Sequence, residues 1–167
     1  MKKQLFLLIL LLGIILIGAC EKDDICVDGD THLLILRFYD AQDTASFKSV
    51  TDLQIIGVGQ EDTLNLFSSP STTDSVAIPL RADQTATQFL LILNSNVEDD
   101  VETGNIDTLN FQYTVEGVFV SRACGFVANY NELSPQLTTG SENWIQDIEV
   151  VDTTVTNQFS AHVKIFH

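Results

Sequence analysis

Leu109-Asn110-Phe111-Gln112-Tyr113-Thr114-Val115 alternates apolar and polar side chains without a break. Successive side chains of an extended chain point to opposite faces, so this stretch lays Leu109, Phe111, Tyr113 and Val115 on one side and Asn110, Gln112 and Thr114 on the other. A half-buried strand fits that pattern, and a helix does not. Phe159, Ala161, Val163 and Ile165 alternate in the same way with Ser160, His162 and Lys164, which puts His162 on the polar face. Leu33 to Tyr39 and Phe89 to Leu93 are nearly continuous apolar runs, as expected of strands covered on both sides or bordering a ligand cavity. Leu53 to Val58, Thr63 to Phe67, Val76 to Leu80, Val118 to Arg122 and Ile145 to Val151 complete the candidates. From Thr31 onward no stretch sustains a helical apolar period, and Gly, Asn, Asp, Ser and Thr break the runs. The expected fold is all-β: an antiparallel β-sandwich of about nine short strands with Greek-key-like connections, with a closed β-barrel as the alternative. Asn94 to Asn105, carrying Glu98, Asp99, Asp100 and Glu102, reads as a long acidic hairpin loop. Asn129 to Asn143, with Pro135 and Gly140, reads as an irregular connection with room for one helical turn.

The chain of 167 residues is long enough for one domain with a substantial core. Its 23 acidic residues against 8 basic ones give a formal charge of -15. Nucleic acid is therefore excluded as a partner, because binding it requires Lys and Arg to displace phosphate counterions.

Many of the apolar residues sit at the start. Met1-Lys2-Lys3 is followed by an apolar run from Leu5 to Ile17, then Gly18, Ala19 and Cys20, the pattern of a secretory signal. The run meets Glu21, Asp23 and Asp24 too soon for a transmembrane helix, which needs about 20 apolar residues. Ile17-Gly18-Ala19-Cys20 resembles the lipobox of bacterial lipoproteins, which implies a lipidated Cys20 and removal of residues 1–19. Losing Lys2 and Lys3 takes the charge from -15 to -17, so attachment to a membrane falls to acyl chains rather than a basic patch. Glu21-Lys22-Asp23-Asp24 is similar to the export signal that carries lipoproteins of the Bacteroidota to the outer face of the outer membrane. A solvated acidic tether reads equally well there. The organisation expected is a signal peptide over 1–19, a lipidated acidic tether over 20–30 and one β-sandwich domain over 31–167.

Several segments together resemble an uncharacterised family of flavobacterial lipoproteins, domain-of-unknown-function family 6452. They are Ile25-Cys26-Val27-Asp28-Gly29-Asp30, Asn105-Ile106-Asp107-Thr108-Leu109, Ser121-Arg122-Ala123-Cys124-Gly125-Phe126, Asn143-Trp144-Ile145 and the ending His162-Val163-Lys164-Ile165-Phe166-His167. The resemblance would cover nearly all of the chain after Cys20. It implies lineage and localisation and carries over no catalytic or binding residue.

With Cys20 assigned to lipid, Cys26 and Cys124 remain as one pair in an exported chain, and a disulfide between them is the natural reading. Two buried thiols or a metal pair are the alternatives. His32, His162 and His167 have no ligand spacing with either cysteine, and no Cys-x-x-C is present, so no metal is expected. His-Glu-x-x-His and Gly-x-Ser-x-Gly are missing, and Gly57-Val58-Gly59 lacks the third glycine of a phosphate loop. No catalytic residue and no cofactor is expected, and the chain does not read as an enzyme. Asp28 with Asp30, and Glu98 to Glu102, could supply oxygens to calcium, although a solvated face explains them better. Trp144 reads as a core anchor beside Ile145 and Ile148.

Asp followed by Ser or Thr and then a small or apolar residue or Thr recurs at Asp43-Thr44-Ala45, Asp62-Thr63-Leu64, Asp74-Ser75-Val76, Asp107-Thr108-Leu109 and Asp152-Thr153-Thr154. Composition alone gives about one such match. The pattern resembles the O-glycosylation acceptor of exported Bacteroidota proteins and marks Thr44, Thr63, Ser75, Thr108 and Thr153, although Asp-Thr pairs also suit turns. The expectation is a lipid-anchored, surface-exposed outer-membrane protein that binds an envelope protein or glycan or builds the envelope. The rival is a small-ligand, glycan or calcium-dependent binding protein with an apolar cavity.

Overall fold

The structure is a computed structural model that describes residues 3–4, 25–26, 29–59, 69–98 and 101–167. Nine strands follow in order: β1 (Leu34–Tyr39), β2 (Val50–Gly57), β3 (Ser71–Thr73), β4 (Ser75–Ile78), β5 (Ala86–Glu98), β6 (Val101–Ser121), β7 (Gly125–Leu137), β8 (Asp147–Val150) and β9 (Val163–Phe166). They form a four-stranded sheet in the order β4-β1-β9-β8 and a five-stranded sheet in the order β3-β2-β5-β6-β7. The fold is the expected all-β sandwich. The chain passes from one sheet to the other at Asp74, between β3 and β4, where the Asp74 carbonyl accepts the Phe38 N–H at 2.9 Å and its carboxylate lies 3.5 Å from Arg37.

Alternation decides which faces meet. Leu34, Leu36 and Phe38 of β1 turn inward with Ile78, Val163 and Ile165, against Val50, Leu53 and Ile55 of β2, Phe89 and Leu91 of β5 and Leu109, Phe111 and Tyr113 of β6. Each fully buried side chain of this size contributes about 1.5–3 kcal/mol over leaving it in water. The runs read as covered on both sides or as bordering a cavity place their buried side chains in one core cluster. Trp144 joins it, as its apolar neighbours suggested, and its indole N–H donates to the Leu91 carbonyl at 3.2 Å.

Nine strands is the expected number, but several are longer than the turn residues implied. The run at 109–115 and the run from 118, up to Ser121, are one 21-residue strand, β6. Residues 94–105 are not a long loop, because the β5–β6 ladder continues from Asn96↔Thr103 to Glu98↔Val101 beyond a register shift after Leu93. Asn94 takes φ 53° and Gly104 φ 135° at that bulge. A Cβ on Gly104 would fall 2.8 Å from the Leu93 carbonyl oxygen, so only glycine fits. Residues 129–143 are not irregular throughout. β7 runs to Leu137 with Pro135 inside it, and the missing N–H is harmless because β7 is the edge strand of its sheet. The strand expected at 63–67 lies outside the described residues.

One pairing departs from an antiparallel sandwich. β1 and β9 run parallel, from Leu36↔Val163 to Tyr39↔Phe166. β9 is also shorter than the alternation from Phe159 suggested: it begins at Val163, and Phe159 is 96% exposed.

By packing, the chain divides into two compact units. One joins the segment ending at Gly29 with Phe119–Phe126, and the other comprises Asp30–Val118 and Val127–His167.

Candidate functional site

In the smaller unit, Cys26 and Cys124 are disulfide-bonded with their α-carbons 4.8 Å apart. The turn between β6 and β7 is built to present Cys124. Its N–H donates to the Ser121 hydroxyl at 3.1 Å, and Gly125 takes φ 72°, a backbone state that a side chain resists. Gly29 lies so close to the bond that an added Cβ would sit 2.1 Å from the Cys26 sulfur. Phe119 and Phe126 flank the turn, their rings 5.4 Å apart and edge to face, and both are exposed. Sequence reading counted Phe119 only as part of a strand and missed its exposure, which alternation alone does not reveal.

Asp107, on β6, is buried in the larger unit. Its carboxylate accepts the Asn143 amide at 2.9 Å and the Ile145 N–H at 2.8 Å. Burial pushes its pKa above the ordinary carboxylate value, while bonds from Ile145, Asn143 and Trp144 pull it down. Asn143 also donates to the Thr138 carbonyl at 3.1 Å and accepts the Gly140 N–H, so the loop after β7 closes on itself. Between this loop and the 104–108 stretch of β6 lies an open polar depression of about 440 Å³. Both carboxylate oxygens of Asp107 are already engaged by the loop, which makes it a loop staple and not a free acid.

The histidine read as surface is the opposite. His162 is 1% exposed. Its Nδ1 accepts the Ile35 backbone N–H at 3.0 Å, while the His162 backbone N–H donates to the Ile35 carbonyl at 3.0 Å. Because β9 starts one residue later, alternation could not assign the side chain. Burial lowers the pKa of His162, and that of His167 as well. Two tyrosines hold the turn before β5. The Tyr130 hydroxyl donates to the Leu80 carbonyl at 2.9 Å, and the Tyr113 hydroxyl donates to the Arg81 carbonyl at 2.9 Å. Burial pushes Tyr130 up to about 12.

Of the marked hydroxyls, Thr44 and Thr153 are exposed, whereas Ser75 and Thr108 are half-buried. Ser75 donates to the Leu36 carbonyl at 3.3 Å. The preceding acids behave as turn residues in two cases: Asp43 accepts from Ser46 at 2.6 Å and Asp152 from Thr154 at 2.9 Å. Cys20, Glu21, Lys22, Asp23, Asp24, Asp28 and Thr63 lie outside the described residues, as does the acidic tip at 99–100. Among the described residues, no group of three or more His, Cys, Asp or Glu could hold a metal, and no helix is long and apolar enough to cross a membrane.

A family model described as a family of unknown function, DUF6452, matches residues 52–167. The chain belongs to this family. The DUF6452 match takes in β3 to β9 and nearly all of β2, and it leaves out β1 and the segment around Cys26, so it is shorter than the resemblance implied. No curated protein and no solved structure matches the chain.

Proposed function

We propose that this DUF6452 protein is a lipoprotein of the bacterial outer membrane, facing the cell surface, that serves as a non-enzymatic binding or structural component of the envelope. The observation that carries the reading is the Cys26–Cys124 bond. It accounts for two of the three cysteines, and the third is Cys20, at the end of the lipobox-like Ile17-Gly18-Ala19-Cys20. A structural disulfide belongs to an exported chain, which is where lipidation takes place. Glu21-Lys22-Asp23-Asp24 supports export to the outer face and a Bacteroidota origin. The partner is an envelope protein or a glycan, and Thr44 and Thr153 are the best placed of the marked residues to carry O-linked sugar.

The test is fractionation of the native host expressing Cys20→Ala. The variant should remain an unprocessed, unlipidated precursor, whereas a mature form still found with membranes would overturn the anchor. In the same cells, alanine at Lys22, Asp23 and Asp24 should keep the lipid but reduce protease access on intact cells. Unchanged access would leave the acidic stretch as a tether only.

A further inference from the structure

The cysteine that closes the β6–β7 turn is bonded six positions from the proposed lipid acceptor. Cys20 to Cys26 can span at most about 22 Å even fully extended, and Cys26 lies 4.8 Å from Cys124 by α-carbons. Whatever course those residues take, the turn Phe119–Phe126 is held within a short reach of the acylated residue. Its surface suits that neighbourhood. Phe119 is 57% exposed, Phe126 71% and Ile25 83%, and Val120 is partly exposed beside them. Exposed phenylalanines grouped at one turn are unusual on a surface that meets only water.

Charge separates this turn from the rest of the chain. From Gly117 to Asn131 the only charged residue is Arg122, in a sequence whose formal charge is -15. The acidic body is repelled by anionic headgroups, while an apolar turn with a single guanidinium is accepted by them.

We infer that Phe119, Phe126 and Ile25, gathered by the Cys26–Cys124 bond, enter the headgroup and acyl boundary of the membrane that holds Cys20, a second attachment beside the lipid. The inference rests on the proposed lipidation of Cys20. Interfacial apolar groups insert about 5–10 Å, a depth that the side chains of a β-turn reach without burying the strands. Acyl chains on Cys20 hold the protein at the membrane without setting how the folded part faces it, and a second contact fixes the orientation of the turn toward the bilayer.

The experiment uses the native tryptophan as its control. Trp144 is the only tryptophan and is buried in the core of the larger unit. The full chain is expressed in a Gram-negative host, and the mature lipidated protein is reconstituted into phosphatidylethanolamine and phosphatidylglycerol vesicles with brominated acyl chains. In the Phe126→Trp variant the introduced indole should lose emission to the brominated chains, while the parent loses little. Phe119→Trp gives a second reading should the first variant fold poorly. Protein that floats with the vesicles and carries acyl mass on Cys20, yet shows no quenching beyond the parent, overturns the insertion alone and leaves the turn to water or a protein partner. Protein that carries no acyl mass and does not float overturns the anchor, and the insertion with it.

Discussion

The imidazole Nδ1 of His162 accepts the backbone N–H of Ile35 at 3.0 Å and so stands in for a carbonyl where β1 meets the residue preceding β9. The role requires an unprotonated Nδ1. Burial accordingly holds the His162 pKa below the ordinary 6.5. Below that value the unfolded chain takes up a proton that the folded chain refuses. The stabilisation is complete above about pH 6.5 and is lost as pH falls toward the lowered folded value. His167 shifts in the same direction, whereas Asp107, raised by burial, favours the fold as pH falls toward 3.8 and acts in the opposite sense. His162→Asn keeps an acceptor without a titrating group. Its urea midpoint should vary less than the parent's between pH 7 and pH 5.5, and identical slopes would remove His162 as the source.

The Cys26–Cys124 bond encloses 98 residues of sequence separation. For such a loop the chain-entropy model gives about 4 to 5 kcal/mol, and native disulfides commonly deliver about 2–5 kcal/mol. The Cys26→Ser/Cys124→Ser double variant should therefore unfold at clearly lower denaturant with an altered slope, since its unfolded chain is less compact. Equal midpoints would mean that the bond constrains the smaller unit without stabilising the fold.

Asp107 should matter more than its single position suggests. Asp107→Ala leaves the buried Ile145 N–H without its acceptor, at a cost of about 1–3 kcal/mol, and loosens Asn143, whose side-chain amide then donates only to the Thr138 carbonyl. Hydrogen exchange should rise at Ile145 and Gly140. Arg81 and Asp83 form an equally short contact, an ion pair at 2.8 Å, but near the surface, and Asp83→Ala should leave the melting temperature unchanged. Equal effects from the two substitutions would contradict the burial argument.

Glycan, where present, should follow exposure. Peptides spanning Thr44 and Thr153 from native-host protein should carry excess mass that cytoplasmic recombinant protein lacks. Ser75, bonded to Leu36 in the sheet, should not. Modification at Ser75 would overturn the exposure rule, and none anywhere would leave turn formation as the whole reason for the Asp-Thr pattern.

What the sequence revealed follows physical lines. Leu109 to Val115 announced its strand because one face is buried and the other wet, and Cys26 with Cys124 announced a bond because the signal-like start implied an exported chain with one cysteine pair to spare. The continuation of β5 and β6 past Asn94 was hidden, since a bulge at Gly104 lets polar residues stay paired where composition says loop. β7 was hidden by Pro135, which is a breaker in a central strand and harmless at an edge. His162 was misread because the count of alternating positions began at Phe159, whereas β9 begins only at Val163, one residue after His162. Asp107 gave a turn signal in sequence, and only its distance to Ile145, 38 positions away, shows it as a staple.

The parallel pairing of β1 with β9 has a bearing on how the chain comes into being. Leu36 and Val163 are partners across 127 positions, so the first strand to be synthesised waits for the last before its sheet is complete. Folding that depends on contacts this distant is slow, in the range of milliseconds to seconds for β topologies. For a chain threaded outward from its leading end, β1 crosses long before β9 and travels with one edge unpaired. Such an edge invites other strands until the last of the chain has followed.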